Sequence, residues 1–77
     1  ALIVVGRNRE ENDQIKKLAK EKDCLIELKN IPGPTTLIKG EINDQTIEEA
    51  KKLTKQYASK AKGKRVEFVV EQVTSNQ

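Results

Sequence analysis

Histidine, tryptophan and methionine are absent from this 77-residue sequence, and cysteine, tyrosine and phenylalanine occur once each. Without histidine and with a single thiol, no nitrogen/sulfur metal site can be assembled. The same absence removes any Ser–His or Cys–His nucleophile pair. One cysteine, Cys24, excludes an internal disulfide framework and fits a reducing compartment, so a cytoplasmic location is expected. Cys24 itself reads as a small hydrophobe entering a strand. No apolar run approaches the length that crosses a membrane. Ala1 leads directly into Leu2-Ile3-Val4-Val5 with no basic region before it, unlike a signal peptide. The missing methionine, even at position 1, reads as a domain cut from a longer protein. From these absences we expect no metal, no cofactor and no catalytic residue.

What remains is polar and patterned. Apolar and charged residues each make up 35% of the chain, and the net charge is +3. That balance permits a nucleic-acid partner without requiring one. A chain this short buries about 60% of its unfolded surface, which allows one domain with one thin core. Residues 2–5 are a continuous β-branched run closed by Gly6, the pattern of a central strand buried on both faces. Asn8 caps a following helix with Glu11 as its capping-box partner. Ile15, Leu18 and Ala19 form that helix's narrow apolar stripe. A second strand spans 24–29, Pro32-Gly33-Pro34 forces a turn, and a third strand covers 35–39. A second helix starts at Asp44 or Thr46, with Thr46 and Glu49 as a capping box. Ile47, Ala50, Leu53, Tyr57 and Ala61 are its buried stripe, and Gly63 stops it. A last strand spans 66–73, and 74–77 is a polar tail.

Strand, helix, strand, strand, helix, strand is the split pattern of an α+β, ferredoxin-like βαββαβ domain covering 1–73. Two helices then cover one face of a four-stranded sheet, and Glu27, Lys29, Glu67 and Glu71 point to the wetter one. This topology brings three connections to one end: 6–12, 29–35 and 60–65.

Two charge features stand out at that end. The run Lys60-Ala61-Lys62-Gly63-Lys64-Arg65 holds four positive charges in six residues and no acid. Helix-end complementation accounts for one or two of them; such density fits phosphate. Gly6-Arg7-Asn8-Arg9 places two arginines where free N–H groups open a helix, a ready anion site. A well-capped helix with solvated arginines is its plainer explanation. Asn12 in the first helical turn, Lys29, Gly33 with a positive φ in its turn, and the Thr35 hydroxyl complete a polar concavity suited to phosphate. The carboxylate pairs Glu10/Glu11 and Glu48/Glu49 fall in first helical turns, where they complement the dipole. Base stacking on an open sheet, as in RNA-recognition motifs, is disfavoured, because Tyr57 and Phe68 both read as core. Contact with RNA would then go through its backbone and shape.

Val4-Val5-Gly6-Arg7-Asn8, Glu11-Asn12, Asp23 and Ile31-Pro32-Gly33-Pro34-Thr35 together resemble the NFACT-R family of RNA-binding domains. The variant most similar lies at the C-terminus of proteins with a PP-loop ATPase domain that resemble tRNA thiolases. Its Pro-Gly-Pro-Thr turn is followed by an apolar strand and glycine, here Leu37-Ile38-Lys39-Gly40. Better-known members carry Trp-Phe-His in strand two and Ser-His after Pro-Gly. This chain has Leu25-Ile26-Glu27 and Pro34-Thr35, so contacts made by those side chains do not carry over. The resemblance implies binding of tRNA or other structured RNA beside a catalytic domain of the parent chain that thiolates tRNA, with roles for Gly6, Arg7, Asn8, Asn12, Pro32, Gly33 and Thr35. Two alternatives remain. One is an interdomain or protein–protein docking module with no RNA contact, of which a regulatory small-ligand domain is a lesser version. The other is an enzyme similar to acylphosphatases, whose glycine-rich loop is missing here.

Overall fold

A computed structural model describes residues 1–73, and the polar tail expected at 74–77 lies outside the described residues. The elements are β1 (Leu2–Val5), α1 (Arg9–Leu18), β2 (Cys24–Leu28), β3 (Thr36–Lys39), α2 (Asp44–Tyr57), a 3-10 turn (Ser59–Ala61) and β4 (Phe68–Gln72). Two helices and a four-stranded antiparallel sheet make the expected α+β class. The sheet order β1-β3-β2-β4 is compatible with a ferredoxin-like fold, with β3 inserted between β1 and β2. The last strand closes the sheet on β2, in register from Leu28↔Phe68 to Cys24↔Gln72.

That position of β4 corrects one expectation: the helices lie on opposite faces of the sheet. Ile3, Ile38 and Cys24 are partners across β1, β3 and β2 and share a face. Ile47 and Ala50 of α2 pack there, together with Ile26 and Phe68. Alternate residues point the other way, and α1 covers them. Lys16 pairs with Glu27 at 3.1 Å, and Lys39 Nζ reaches the carbonyl of Leu18. The cause is crossover handedness. With β4 on the β2 edge, β3-α2-β4 steps across the sheet in the same sense as β1-α1-β2, but along strands of opposite direction. Two right-handed crossovers related in this way must lie on opposite faces.

Two further corrections follow. β3, not β1, is the strand buried on both faces: Thr36, Leu37 and Ile38 are each 1% exposed or less. β1 is an edge strand: Ile3 packs on the α2 face, whereas Leu2, on the other, is 59% exposed. Glu27 is not on an open face. It lies beneath α1, accepting from Thr35 Oγ1 at 3.1 Å and pairing with Lys16. The strand boundaries also tighten, with β4 starting at Phe68 rather than at 66.

Local chemistry sets the helix ends. Asn8 caps α1, its side chain accepting from Glu11 N–H at 2.9 Å. Glu11 returns to Arg7 N–H at 2.8 Å rather than to that of Asn8. The helix stops at Leu18, which is exposed rather than part of the buried stripe. Asn43 caps α2 in a reciprocal box with Thr46, so Thr46 is the box's inner partner and not its cap. α2 ends at Tyr57, well before Gly63. There the chain tightens into the 3-10 turn, with Ala61 N–H donating to Ala58 O, and both methyls are buried. Gly63, at φ +71, follows that turn.

Inside the α2 face, Thr54 Oγ1 donates to Ala50 O and meets Thr36 Oγ1, each at 2.6 Å. Thr54→Val leaves the buried Thr36 hydroxyl without a partner and should cost about 1–3 kcal/mol. Adding Thr36→Val removes the orphan, so chemical denaturation should find the double variant more stable than Thr54→Val alone.

Asp23 fastens the end of α1 to the sheet. Its carboxyl is held below the ordinary range, first by a 2.7 Å hydrogen bond from Lys39 Nζ and then by Lys20 N–H. The folded value lies below the unfolded one, so this contribution is fully present above about pH 4 and is lost as pH falls through the folded value. Unfolding profiles from pH 7 to 2 should show that acid-side loss, and Asp23→Asn should flatten it. Burial pushes the Cys24 thiol above its ordinary value, as befits a core residue.

Candidate functional site

The directions of the strands, not their order, decide which loops share an end. β1 and β2 run one way, β3 and β4 the other. The connections β1–α1, β2–β3 and α2–β4 therefore meet although β4 has changed edge. They enclose a cleft of about 290 Å³. Arg7, Asn8, Arg9 and Asn12 line it from the first connection, Pro32, Gly33 and Pro34 from the second, and Tyr57, Ala58, Ser59 and Lys60 from the third.

The walls are fixed by hydrogen bonds. Asn12 Oδ1 accepts from Thr35 N–H at 3.0 Å, and Gly6 N–H donates to Thr35 O at 3.0 Å. These bonds tie the start of α1 to the Pro-Gly-Pro turn. Gly6 is required by closeness: a Cβ there would overlap Asn12 Oδ1 and reach Ile15 Cδ1 at 3.0 Å. Gly33 also serves close approach, since its Cβ would meet Leu28 Cδ1 at 2.7 Å and the Ala58 methyl at 3.3 Å. The positive φ expected at Gly33 is absent; among the glycines, Gly40 and Gly63 have it. Pro34 is buried and anchors the turn.

Arg7, Arg9 and Lys60 are exposed. Among the described residues, no carboxylate lines their cleft, and the ion pairs use Lys16, Lys39 and Lys51 instead. Three cations with no ion-pair partner among the described residues favour an anion in this concavity, while the helix start itself is capped by Asn8 and carries the Glu11 carboxylate on Arg7 N–H. Asn8 spends its side-chain oxygen on the Glu11 amide. The expectation of a free Thr35 hydroxyl is corrected: Thr35 is 2% exposed, and its hydroxyl donates to Glu27. Alternation along the chain turns that side chain under α1, where it supports the wall.

The basic run does not act as one patch. Lys60 enters the cleft, whereas Lys62 opens onto a groove along α2 with Lys52 and Lys55. Arg65 lines a hollow with Asn30 and Glu67, and its carbonyl accepts from Asn30 Nδ2. Lys64 is exposed past the 3-10 turn, its N–H bonded to Ala61 O. Lys29 is exposed, and its N–H donates to Glu67 O. A run that winds through a tight turn points successive side chains in different directions, which spacing alone does not reveal. Ser59 and Tyr57 were not expected in the cleft. The Tyr57 misreading came from extending the α2 stripe one turn too far.

Comparison with known families places the chain. The family model described as the NFACT protein RNA-binding domain matches residues 1–77. The chain belongs to that family. No curated protein and no solved structure matches it. An RNA-binding family accords with an NFACT domain whose three converging loops present unpaired cations. Among the described residues, no helix of this NFACT domain is long and apolar enough to cross a membrane, and no group of three or more His, Cys, Asp or Glu could hold a metal ion.

Proposed function

We propose that this domain binds tRNA or other structured RNA through the three-loop cleft, as an accessory module beside a catalytic domain of a longer, cytoplasmic protein. The reaction assigned to that parent is tRNA thiolation by a PP-loop ATPase, and the 77 residues themselves perform no catalysis. The observation that carries the reading is the convergence of Arg7, Arg9 and Lys60 on one carboxylate-free cleft in a chain of an RNA-binding family. Phosphate contacts of this kind give affinity without base readout. A PP-loop parent is supported by the resemblance of the Val-Gly-Arg-Asn and Pro-Gly-Pro-Thr motifs.

A second reading has its own observation. Val69 and Val70 of the edge strand β4, one on each face of the sheet, are 43% and 42% exposed, apolar margins of an open strand edge suited to packing on the parent's catalytic domain without touching RNA. Binding of labelled tRNA across a salt series separates the two. RNA binding gives a steep fall, with a log–log slope of roughly −0.9 per phosphate neutralised on a duplex. No binding at low salt, together with salt-insensitive association with the parent domain, would replace RNA binding by docking.

A further inference from the structure

Tyr57 is the last residue of α2, and its position on the helix invites burial. Ala50 and Thr54, seven and three residues earlier, are fully buried. Yet Tyr57 is 50% exposed, because the core contact passes to Ala58 and Ala61 of the 3-10 turn. The only other aromatic in the sequence, Phe68, packs against the core beneath Lys51. Tyr57 therefore stands alone as an accessible π-face.

Its surroundings are specific. Tyr57 and Arg7 form the partition between two concavities. On one side lies the three-loop cleft with Arg9 and Lys60. On the other is a smaller hollow of about 220 Å³ walled by Ile3, Val5 and Leu53. A flat apolar ring beside a guanidinium, with cations on one flank and aliphatic side chains on the other, matches a nucleotide. The base needs a stacking surface and an apolar margin, and its phosphates need the cations. A duplex hides its base faces, whereas a loop or single strand offers them.

We propose that Tyr57 stacks one unpaired base of the bound RNA while Arg7, Arg9 and Lys60 hold the flanking phosphates. This rests on the RNA-binding reading and makes it narrower: the ligand is RNA with unpaired nucleotides, and phosphate contact is not the whole of recognition. Stacking is disfavoured in the sequence on the ground that Tyr57 is core, and its 50% exposure removes that ground.

The test compares the 77-residue wild type with Tyr57→Phe and Tyr57→Leu. Each is titrated with a hairpin whose loop is unpaired and with a blunt duplex of the same stem, over a salt series. Phe keeps the π-face; Leu keeps apolar bulk without it. The expected result is near wild-type hairpin binding for Tyr57→Phe and a loss of about 5- to 150-fold for Tyr57→Leu, the range of base–aromatic stacking, with the salt slope unchanged. Duplex binding should not respond to either change. A 2-aminopurine placed in the loop should be quenched by wild type, a readout that needs no variant to fold. Equal hairpin binding by wild type and a folded Tyr57→Leu, or an unquenched loop on a bound hairpin, overturns stacking and leaves the RNA reading standing. Failure of wild type to bind either RNA at low salt overturns both.

Discussion

Replacing Arg7, Arg9 and Lys60 together by alanine should weaken RNA binding about 100-fold at moderate salt, taking on the order of 1 kcal/mol per phosphate contact. The log–log salt slope should shrink by about 2–3 units, because each lost phosphate contact releases roughly 0.7–0.9 of a counterion fewer. Folding should hardly change, since all three side chains are exposed and none is in an ion pair of the described residues; such surface changes usually stay within about 0.5 kcal/mol. The informative control is a variant with equal charge loss, Lys62→Ala, Lys64→Ala and Arg65→Ala. Those side chains do not converge on the cleft. A protein that merely attracts RNA by net charge loses equally in both variants. A protein that seats RNA in the cleft loses clearly more in the first, and binding isotherms at three salt concentrations decide between them.

Gly6→Ala is expected to be the most disruptive single methyl in the domain. Its Cβ would occupy the place of Asn12 Oδ1 and press on Ile15. Asn12 can swing away only by releasing the amide of Thr35, a residue 2% exposed. An orphaned buried amide costs about 1–3 kcal/mol, and displacement of Ile15, 5% exposed, adds to it. A total of about 2–4 kcal/mol is a large share of the stability available to a domain of this size. Thermal unfolding should move down by roughly 4–8 °C for each kcal/mol. Asn12→Ala orphans the same amide, so the two substitutions should be strongly non-additive. Additive losses in that cycle would mean that Gly6 and Asn12 act separately.

Much of the architecture was legible because each element carries its own local instruction. The apolar run at 2–5, the strand expected at 35–39 and the Asn8 cap all formed where their chemistry places them, the middle one a residue shorter. The choice of edge for β4 was not legible. Nothing in Phe68-Val69-Val70 distinguishes a partner in β1 from one in β2, yet that choice sends α2 to the other face. The doubly apolar run of β1 reads as central, yet it forms an edge strand with Leu2 exposed. At the site, convergence of the three loops was readable because it depends on strand direction alone. The dispersal of Lys60, Lys62 and Arg65, the engagement of Thr35 with Glu27, and the exposure of Tyr57 were not. Each depends on a turn or a packing choice that follows from tertiary contacts rather than from neighbours in sequence.

The cleft also has two walls with different foundations. One is the Pro32-Gly33-Pro34 turn, which runs through Thr35 directly into β3, the strand sheathed on both sides. The other is the 3-10 turn, seated by the small methyls of Ala58 and Ala61 and by i→i+3 hydrogen bonds. Both walls are therefore tied to buried residues, Thr35 on one side and Ala58 and Ala61 on the other, so the shape of the cleft is set by the packing of the core rather than by its own exposed side chains.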